Sequence, residues 1–191
     1  MAAVIGADGL ARCPWASTDP EYIRYHDEEW GVPLHGDQPL FEKLSLEGFQ
    51  AGLSWITILK RRPAFREVFH GFALSRVAAM TPAEAEVLLG DTRIIRNRAK
   101  IEATITNAGI ALELVRDSPG ALDRLLWSFA PRDRPRPAEV PAITAESTAM
   151  SAALRALGFR FVGPTTMYAL MQSSGMVDDH DPRCWRAVSG S

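Results

Sequence analysis

Cysteine and histidine are scarce in this sequence, and each of its two ends carries one of each. Cys13 and His26 stand near the start and His180 and Cys184 near the finish, so each of the only two cysteines has a histidine in its own terminal segment. In His180-Asp181-Pro182-Arg183-Cys184 three residues separate the two ligand types, a local spacing that zinc sites use. Two thiolates and two imidazoles form a closed tetrahedral set, the structural kind of zinc site, whereas a catalytic zinc usually keeps a position for water. No CxxC pair is present, so the spacing also fits two buried free thiols and two surface histidines.

The other chemical signal is Glu47. Leu40 to Ala51 reads as an amphipathic helix with Asp37 as its N-cap, and positions 40, 44, 47 and 51 share one face. Leu40, Leu44 and Ala51 mark that face as apolar, with Glu47 in its middle. An unpaired buried carboxylate costs several kcal/mol, comparable to the net stability of a domain. Such a group needs a partner, a raised pKa or a pocket. The flanking aromatics Tyr22, Tyr25, Trp30, Phe49 and Trp55 point to a pocket; a Glu at the stripe's edge, or one paired with an internal Arg, is the alternative.

The elements that must position these residues read as all-α. Asp19-Pro20 opens a helix that Gly31 ends, and Thr81-Pro82-Ala83-Glu84 is a capping box whose helix runs toward Gly90. A longer helix carries Ile101, Ile105, Ala108, Leu112 and Val115 on one face, and Ser118-Pro119 opens the next. Residues 131–141, rich in proline and arginine, form an extended loop. A helix from about Ser147 to Leu157 stops at Gly158, and Val162-Gly163-Pro164-Thr165 turns into a last helix ending near Gly175. No alternating strand pattern and no internal repeat is present. Residues 1–11 read as an N-terminal extension and 12–191 as a single all-α domain, with a hairpin motif at about 147–174. A chain of 191 residues, 47% hydrophobic with net charge −2, can build a sizeable core and is not a strongly basic architectural DNA binder. No run reaches membrane-spanning length and no secretory signal precedes Leu10, so a cytoplasmic protein without disulfides is expected.

Residues 153–166 resemble a helix-hairpin-helix, in which a turn presents backbone N–H groups of a helix N-terminus to a DNA phosphate. Gly163 allows close approach and Pro164 starts the second helix without losing a needed donor, while Phe161 occupies the earlier glycine position. An ordinary connection between two core helices is the alternative. The basic clusters Lys60-Arg61-Arg62, Arg93-Arg96-Arg98-Lys100 and Arg132-Arg134-Arg136 could meet a nucleic-acid backbone or simply be solvated.

Taken together, Arg12-Cys13-Pro14-Trp15, Tyr25 to Pro33, Leu46 to Trp55, Ile94 to Arg98, Gly158 to Thr165 and Met171 to His180 resemble the bacterial 3-methyladenine DNA glycosylase I family. The match covers nearly all of the chain after about Ala11. It implies an all-α, helix-hairpin-helix enzyme that releases 3-methyladenine from double-stranded alkylated DNA. It also implies a structural zinc on Cys13, His26, His180 and Cys184 that clips the terminal segments together. On the family pattern Glu47 and Tyr25 stand at the catalytic positions, Trp55, Trp30 and Trp15 bind the base, and Leu53, Gly163 and Thr165 meet DNA. Phe49 replaces a polar residue expected there, and Arg93 stands where a glycine is usual. The family pattern lacks the carboxylate that related glycosylases carry after the hairpin; Asp178 and Asp179 lie in that region, and Asp179 could equally support the neighbouring zinc ligand. Lys43, Lys60 and Lys100 all precede the hairpin, so no Schiff-base lysine follows it and a monofunctional, monomeric hydrolase is expected. A non-catalytic DNA-damage or DNA-structure binder with a structural zinc and a zinc hydrolase acting on a small molecule are the competing readings.

Overall fold

Asp19, Thr81, Asn97 and Thr144 each accept a backbone N–H from the first turn of the helix that follows, so these starts are fixed by side-chain caps. The computed structural model describes residues 3–16, 18–133 and 139–187; Arg134 and Arg136 of the third basic cluster lie outside them. The elements in order are β1 (Val4–Ile5), β2 (Ala11–Arg12), α1 (Pro20–Glu28), α2 (Asp37–Gln50), α3 (Trp55–Val68), α4 (Leu74–Ala78), α5 (Pro82–Gly90), α6 (Arg98–Arg116), α7 (Ala121–Trp127), α8 (Ala145–Ala156) and α9 (Pro164–Ser173). Short 3-10 turns occupy Pro14–Ala16 and His70–Phe72.

The mostly helical fold agrees with the sequence reading, with one addition. β1 and β2 pair antiparallel, Val4 opposite Arg12 and Ile5 opposite Ala11. Two residues per strand are too short to show an alternating pattern. Arg12 then joins this hairpin to α1, through Asp8 and Asp27 at 2.6 Å each.

α2 is the centre of the molecule rather than an amphipathic surface helix. Every residue from Lys43 to Phe49 is buried, because α3, α6, α7 and α9 all pack against it. Leu40 and Leu44 lie in the core as the face predicts, but Ala51 falls beyond the helix and is exposed. Phe49 is also core, 4.6 Å from Phe65 and 5.9 Å from Phe69 between ring centroids, and so does not face DNA.

Asp37 is not the N-cap of its own helix; Gly36 holds that position. The Asp37 carboxylate instead accepts the Gly120 and Asp123 N–H groups at the start of α7, at 2.6 and 3.0 Å. Asp123 returns the favour, accepting the Gly36 N–H at 2.5 Å. Two helix N-termini are thus capped reciprocally, each satisfied by an acid from the other. This also explains why α7 begins at Ala121, after a left-handed Gly120 (φ 82°), rather than at Ser118-Pro119.

α8 and α9 form the hairpin. Phe161 has φ 57°, so the earlier glycine position keeps its left-handed backbone with a bulkier residue in it. Asn107 of α6 braces the turn, accepting the Arg160 N–H at 2.8 Å and donating to its carbonyl at 3.0 Å. Gly163 caps α9 and Pro164 is its first residue.

The reciprocal caps carry a measurable share of stability. Asp37→Ala should destabilise the protein by about 2 kcal/mol in urea unfolding, the upper range for a lost helix cap. A change of only a few tenths would mean that α7 holds its start without that carboxylate.

Candidate active site

α1, α2, α3 and α9 enclose one deep cleft of about 730 Å³, within the range of small-molecule sites. Trp15, Tyr22, Tyr25, Trp30 and Trp55 line it together with Glu47, and Gln172, Ser173 and Asp179 close the α9 side. The structure therefore brings all the base-pocket residues named from sequence into one place. Tyr22 also donates order: its hydroxyl oxygen accepts the Ile56 N–H at 2.9 Å, fixing the start of α3 and with it Trp55. Trp15 packs edge-on to Trp30 at 5.1 Å and to Tyr22 at 5.4 Å.

Glu47 is 4% exposed and lines the cleft, so it is not a solvated residue at the edge of the stripe. Burial pushes its carboxyl up to about 7; the Lys43 charge and the nearby Ser173 hydroxyl act the other way and only in part. Lys43, one helical turn earlier, is the partner that the sequence reading missed. It was legible as a Lys–Glu pair four residues apart, three residues after Leu40 and so on the same side of the helix. Its Nζ donates to the Tyr25 oxygen at 3.1 Å and lies 4.5 Å from the Tyr25 ring centroid and 5.6 Å from that of Trp55. Burial lowers the Lys43 ammonium to about 8, against the pull of Glu47. Burial also raises the Tyr25 phenol well above its ordinary value, and the Glu47 charge adds to that, so Tyr25 holds its proton.

A second charged pair braces the rim. Arg62 of α3 grips Glu29 through two hydrogen bonds, 2.5 and 2.8 Å. Burial raises the Glu29 carboxyl, but this bidentate guanidinium outweighs it and holds the group down at about 2.

The cleft's far wall contains Cys13 and His180. The ligand atoms of Cys13, His26 and Cys184 all lie within 4.8 Å of one another. The His180 ring packs 5.3 Å from that of His26, and its Nε2 is buried without a protein partner. Asp27 bonds His26 Nδ1 and Asp178 bonds His180 Nδ1, each at 2.8 Å; His26 Nε2 then lies 3.4 Å from the Cys184 sulfur, while His180 stands outside this three-residue ligand cluster. The two neighbouring thiols push each other apart in acidity, Cys184 below the usual thiol range and Cys13 above it. Two sulfurs, an imidazole among them and an orphaned Nε2, all with their outer partners in place, fit a divalent metal with soft ligands.

Asp178 therefore takes the supporting role beside His180 that the sequence left open for Asp179. Asp179 accepts from Tyr168 and Gln172 through Oδ2, at 2.7 and 2.8 Å, while its Oδ1 is buried on the cleft wall without a protein partner. Trp55 Nε1 is likewise buried and unpartnered. One donor and one acceptor thus await a ligand or ordered water in the cleft.

Leu53, Gly163 and Thr165 lie outside this cleft. Leu53 is exposed at the turn between α2 and α3, and Thr165 is exposed in the first turn of α9. Most of the basic clusters are engaged within the protein. Lys60 pairs with Asp19, Arg62 with Glu29, Arg93 with Asp91 and Glu67, and Arg98 with Glu86. Lys100 is buried and donates to the Phe49 and Ala51 carbonyls at 2.8 Å each, closing the C-terminus of α2.

Residues 15–187 match the methyladenine glycosylase family. The chain is 46% identical over 178 residues to the DNA-3-methyladenine glycosylase of Haemophilus influenzae, covering 91% of this chain and 96% of that one. It is 45% identical over 181 residues to DNA-3-methyladenine glycosylase 1 of Escherichia coli, covering 92% and 96%. Among solved structures it resembles a 3-methyladenine DNA glycosylase I with a TM-score of 0.86 at 45% identity, covering 91% and 98%. A Staphylococcus aureus 3-methyladenine DNA glycosylase I, solved for its recognition of 3-methyladenine, gives 0.83 at 33% identity, covering 91% and 95%.

The raised Glu47 carboxyl has a signature in stability. Burial favours the protonated form, so its contribution is complete below pH about 4.5 and is lost as the pH rises through about 7. Between those values the unmodified protein should lose on the order of 2 kcal/mol relative to Glu47→Gln. Urea unfolding of both proteins at the two ends of that window checks this; parallel behaviour would mean a solvated carboxyl.

Proposed function

The chain belongs to the methyladenine glycosylase family, and we propose that the aromatic cleft around Glu47 is where it holds 3-methyladenine during excision. The protein is a base-excision repair enzyme that hydrolyses the N-glycosidic bond to release 3-methyladenine from alkylated DNA. Its substrate is the double-stranded form, and it works as a cytoplasmic monomer. No helix among the described residues is long and apolar enough to cross a membrane. One observation carries the site assignment: a buried carboxylate lines the same deep cleft as Tyr25 and Trp55. A protein that only gripped the DNA backbone would have no use for it.

To reach the bond, a glycosylase swings the nucleotide out of the stack, and a poorly pairing lesion costs less to extrude. Methylation at N3 gives adenine a positive charge and weakens the bond to the sugar, so the leaving group departs as a neutral base. Little general-acid help is needed, and selection becomes the main task. Tyr25, Trp30, Trp55 and Trp15 offer aromatic faces, each worth roughly 0.5–2 kcal/mol of cation–π attraction beyond ordinary stacking. The Glu47 carboxylate accepts from the exocyclic amine, and the Tyr25 hydroxyl stands beside it as a donor. Outside the cleft, Leu53 probes the duplex where the nucleotide leaves, and Gly163 and Thr165 at the start of α9 meet a phosphate.

Cys13, His26, His180 and Cys184 would hold one zinc ion, whose chemistry there is structural: a closed site that ties the N- and C-terminal segments together. The orphaned His180 Nε2 and the carboxylates behind both histidines support this reading.

The activity is tested by incubating the purified protein with alkylated DNA and separating the released bases; absence of free 3-methyladenine would sink the assignment. Glu47→Gln should weaken binding of free 3-methyladenine at least tenfold without lowering the melting temperature; wild-type affinity would remove Glu47 from the base site. Metal analysis should return about one zinc per chain, and Cys184→Ser should lower the melting temperature. A metal-free protein of full stability would contradict the zinc site.

A further inference from the structure

We infer that Lys43 is a positioning residue for base recognition: its ammonium occupies the Tyr25 oxygen from behind the cleft wall, so that Tyr25 meets the base as a donor and Glu47 meets it as an acceptor. This rests on the base-recognition reading above. Lys43 is 7% exposed and does not itself line the cleft. An ammonium carries three donors and no acceptor, so at 3.1 Å the phenol oxygen can only accept from it. The Tyr25 proton is then directed elsewhere. Adenine presents an exocyclic amine donor beside the N7 acceptor, so an acceptor next to a donor is the complement that this edge requires.

The charged and polar groups around this pair come from four elements. Glu42 shares α2, Tyr25 and Glu29 come from α1, Arg62 from α3, and the Ser173 hydroxyl from α9. Glu29 and Arg62 largely neutralise each other in their bidentate pair, which leaves Lys43 and Glu47 to set each other's ionisation. An unprotonated Lys43 would reverse the arrangement: its amine would accept the Tyr25 proton and take the donor away from the base.

Two midpoints follow for the affinity toward free 3-methyladenine. It should rise with Glu47 ionisation near pH 7 and fall again with Lys43 deprotonation near pH 8. Lys43→Met keeps the length and removes the charge. In that variant the alkaline fall should vanish and the acid midpoint should move up, which lowers affinity about tenfold on the acid side for each unit moved. The base's own ionisation is common to both proteins and cancels in the comparison. A merely structural lysine would change the melting temperature and leave the pH profile alone.

The experiment is a fluorescence titration with free 3-methyladenine from pH about 6 to 9 on the unmodified protein and on Lys43→Met. A two-limbed profile that becomes one-limbed supports the inference. A flat profile above pH about 7 in the unmodified protein overturns it, whether or not the variant folds; so does a variant with the wild-type profile. Excision of 3-methyladenine by the unmodified protein, run alongside, separates these results from failure of the glycosylase reading itself.

Discussion

A carboxylate and an ammonium share the middle of α2, and desolvating them is the cost around which the pocket is arranged. Glu47 and Lys43 are 4% and 7% exposed, on a helix with packed neighbours on all sides. In water a pair one helical turn apart gains a few tenths of a kcal/mol. Here both charges have lost most of their hydration, and each leans on the other and on fixed dipoles from Tyr25 and Ser173. Such a pair rarely improves stability over apolar residues of the same size. What it supplies is a polar end to an aromatic box, held by a rigid helix rather than a loop. The same helix has its C-terminus closed by Lys100, so the residues leading to Leu53 start from a fixed point.

The sulfur and imidazole cluster shares a wall with this box, and the sharing has a physical consequence. Cys13 and His180 line the cleft, and His180 stacks edge-on to Trp30 at 4.6 Å. His26 stacks near Trp30 and Trp15 as well. Anything that fixes the two imidazoles therefore fixes two of the aromatic rings. The terminal segments are joined here by Trp185, whose backbone N–H donates to the Ala11 carbonyl and whose indole N–H donates to Asp27. Asp27 in turn receives Arg12, so the short N-terminal hairpin is tied to the carboxylate that orients His26.

The sequence made some of this legible and hid the rest for identifiable reasons. Helix starts at Asp19, Thr81 and Pro164 were readable because their signals are local, a cap or a proline. Glu47 was readable because it broke a pattern. Asp37 misled because a capping residue can serve a helix more than eighty positions away, and spacing carries no information about that. α2 misled because a helix surrounded on all sides has no polar face to reveal its orientation. α3 went unread because Pro63 sits inside it, although the helix continues through. The basic clusters looked available for DNA; the structure pairs Lys60, Arg62, Arg93 and Arg98 with acids and turns Arg61 and Lys100 onto backbone carbonyls. Lys43 was visible as half of a Lys–Glu spacing, but only burial turns that common pair into something chemical.

The sign of the charges limits what the box can do. Cleavage transfers positive charge from base to sugar, so attraction between Glu47 and the cationic base lowers the ground state and does not by itself speed the reaction. The Lys43 charge behind the rings partly offsets that attraction, since it lies 4.5 Å from the Tyr25 ring centroid and 5.6 Å from that of Trp55. A site with a strong net negative field would hold the cationic base tightly and pay for it in rate. On the proposed assignment, the paired site would keep directional hydrogen bonds to adenine while moderating the field. On that assignment recognition would depend on where protons sit on Tyr25 and Glu47, with the weakened glycosidic bond of the lesion supplying much of the drive for cleavage.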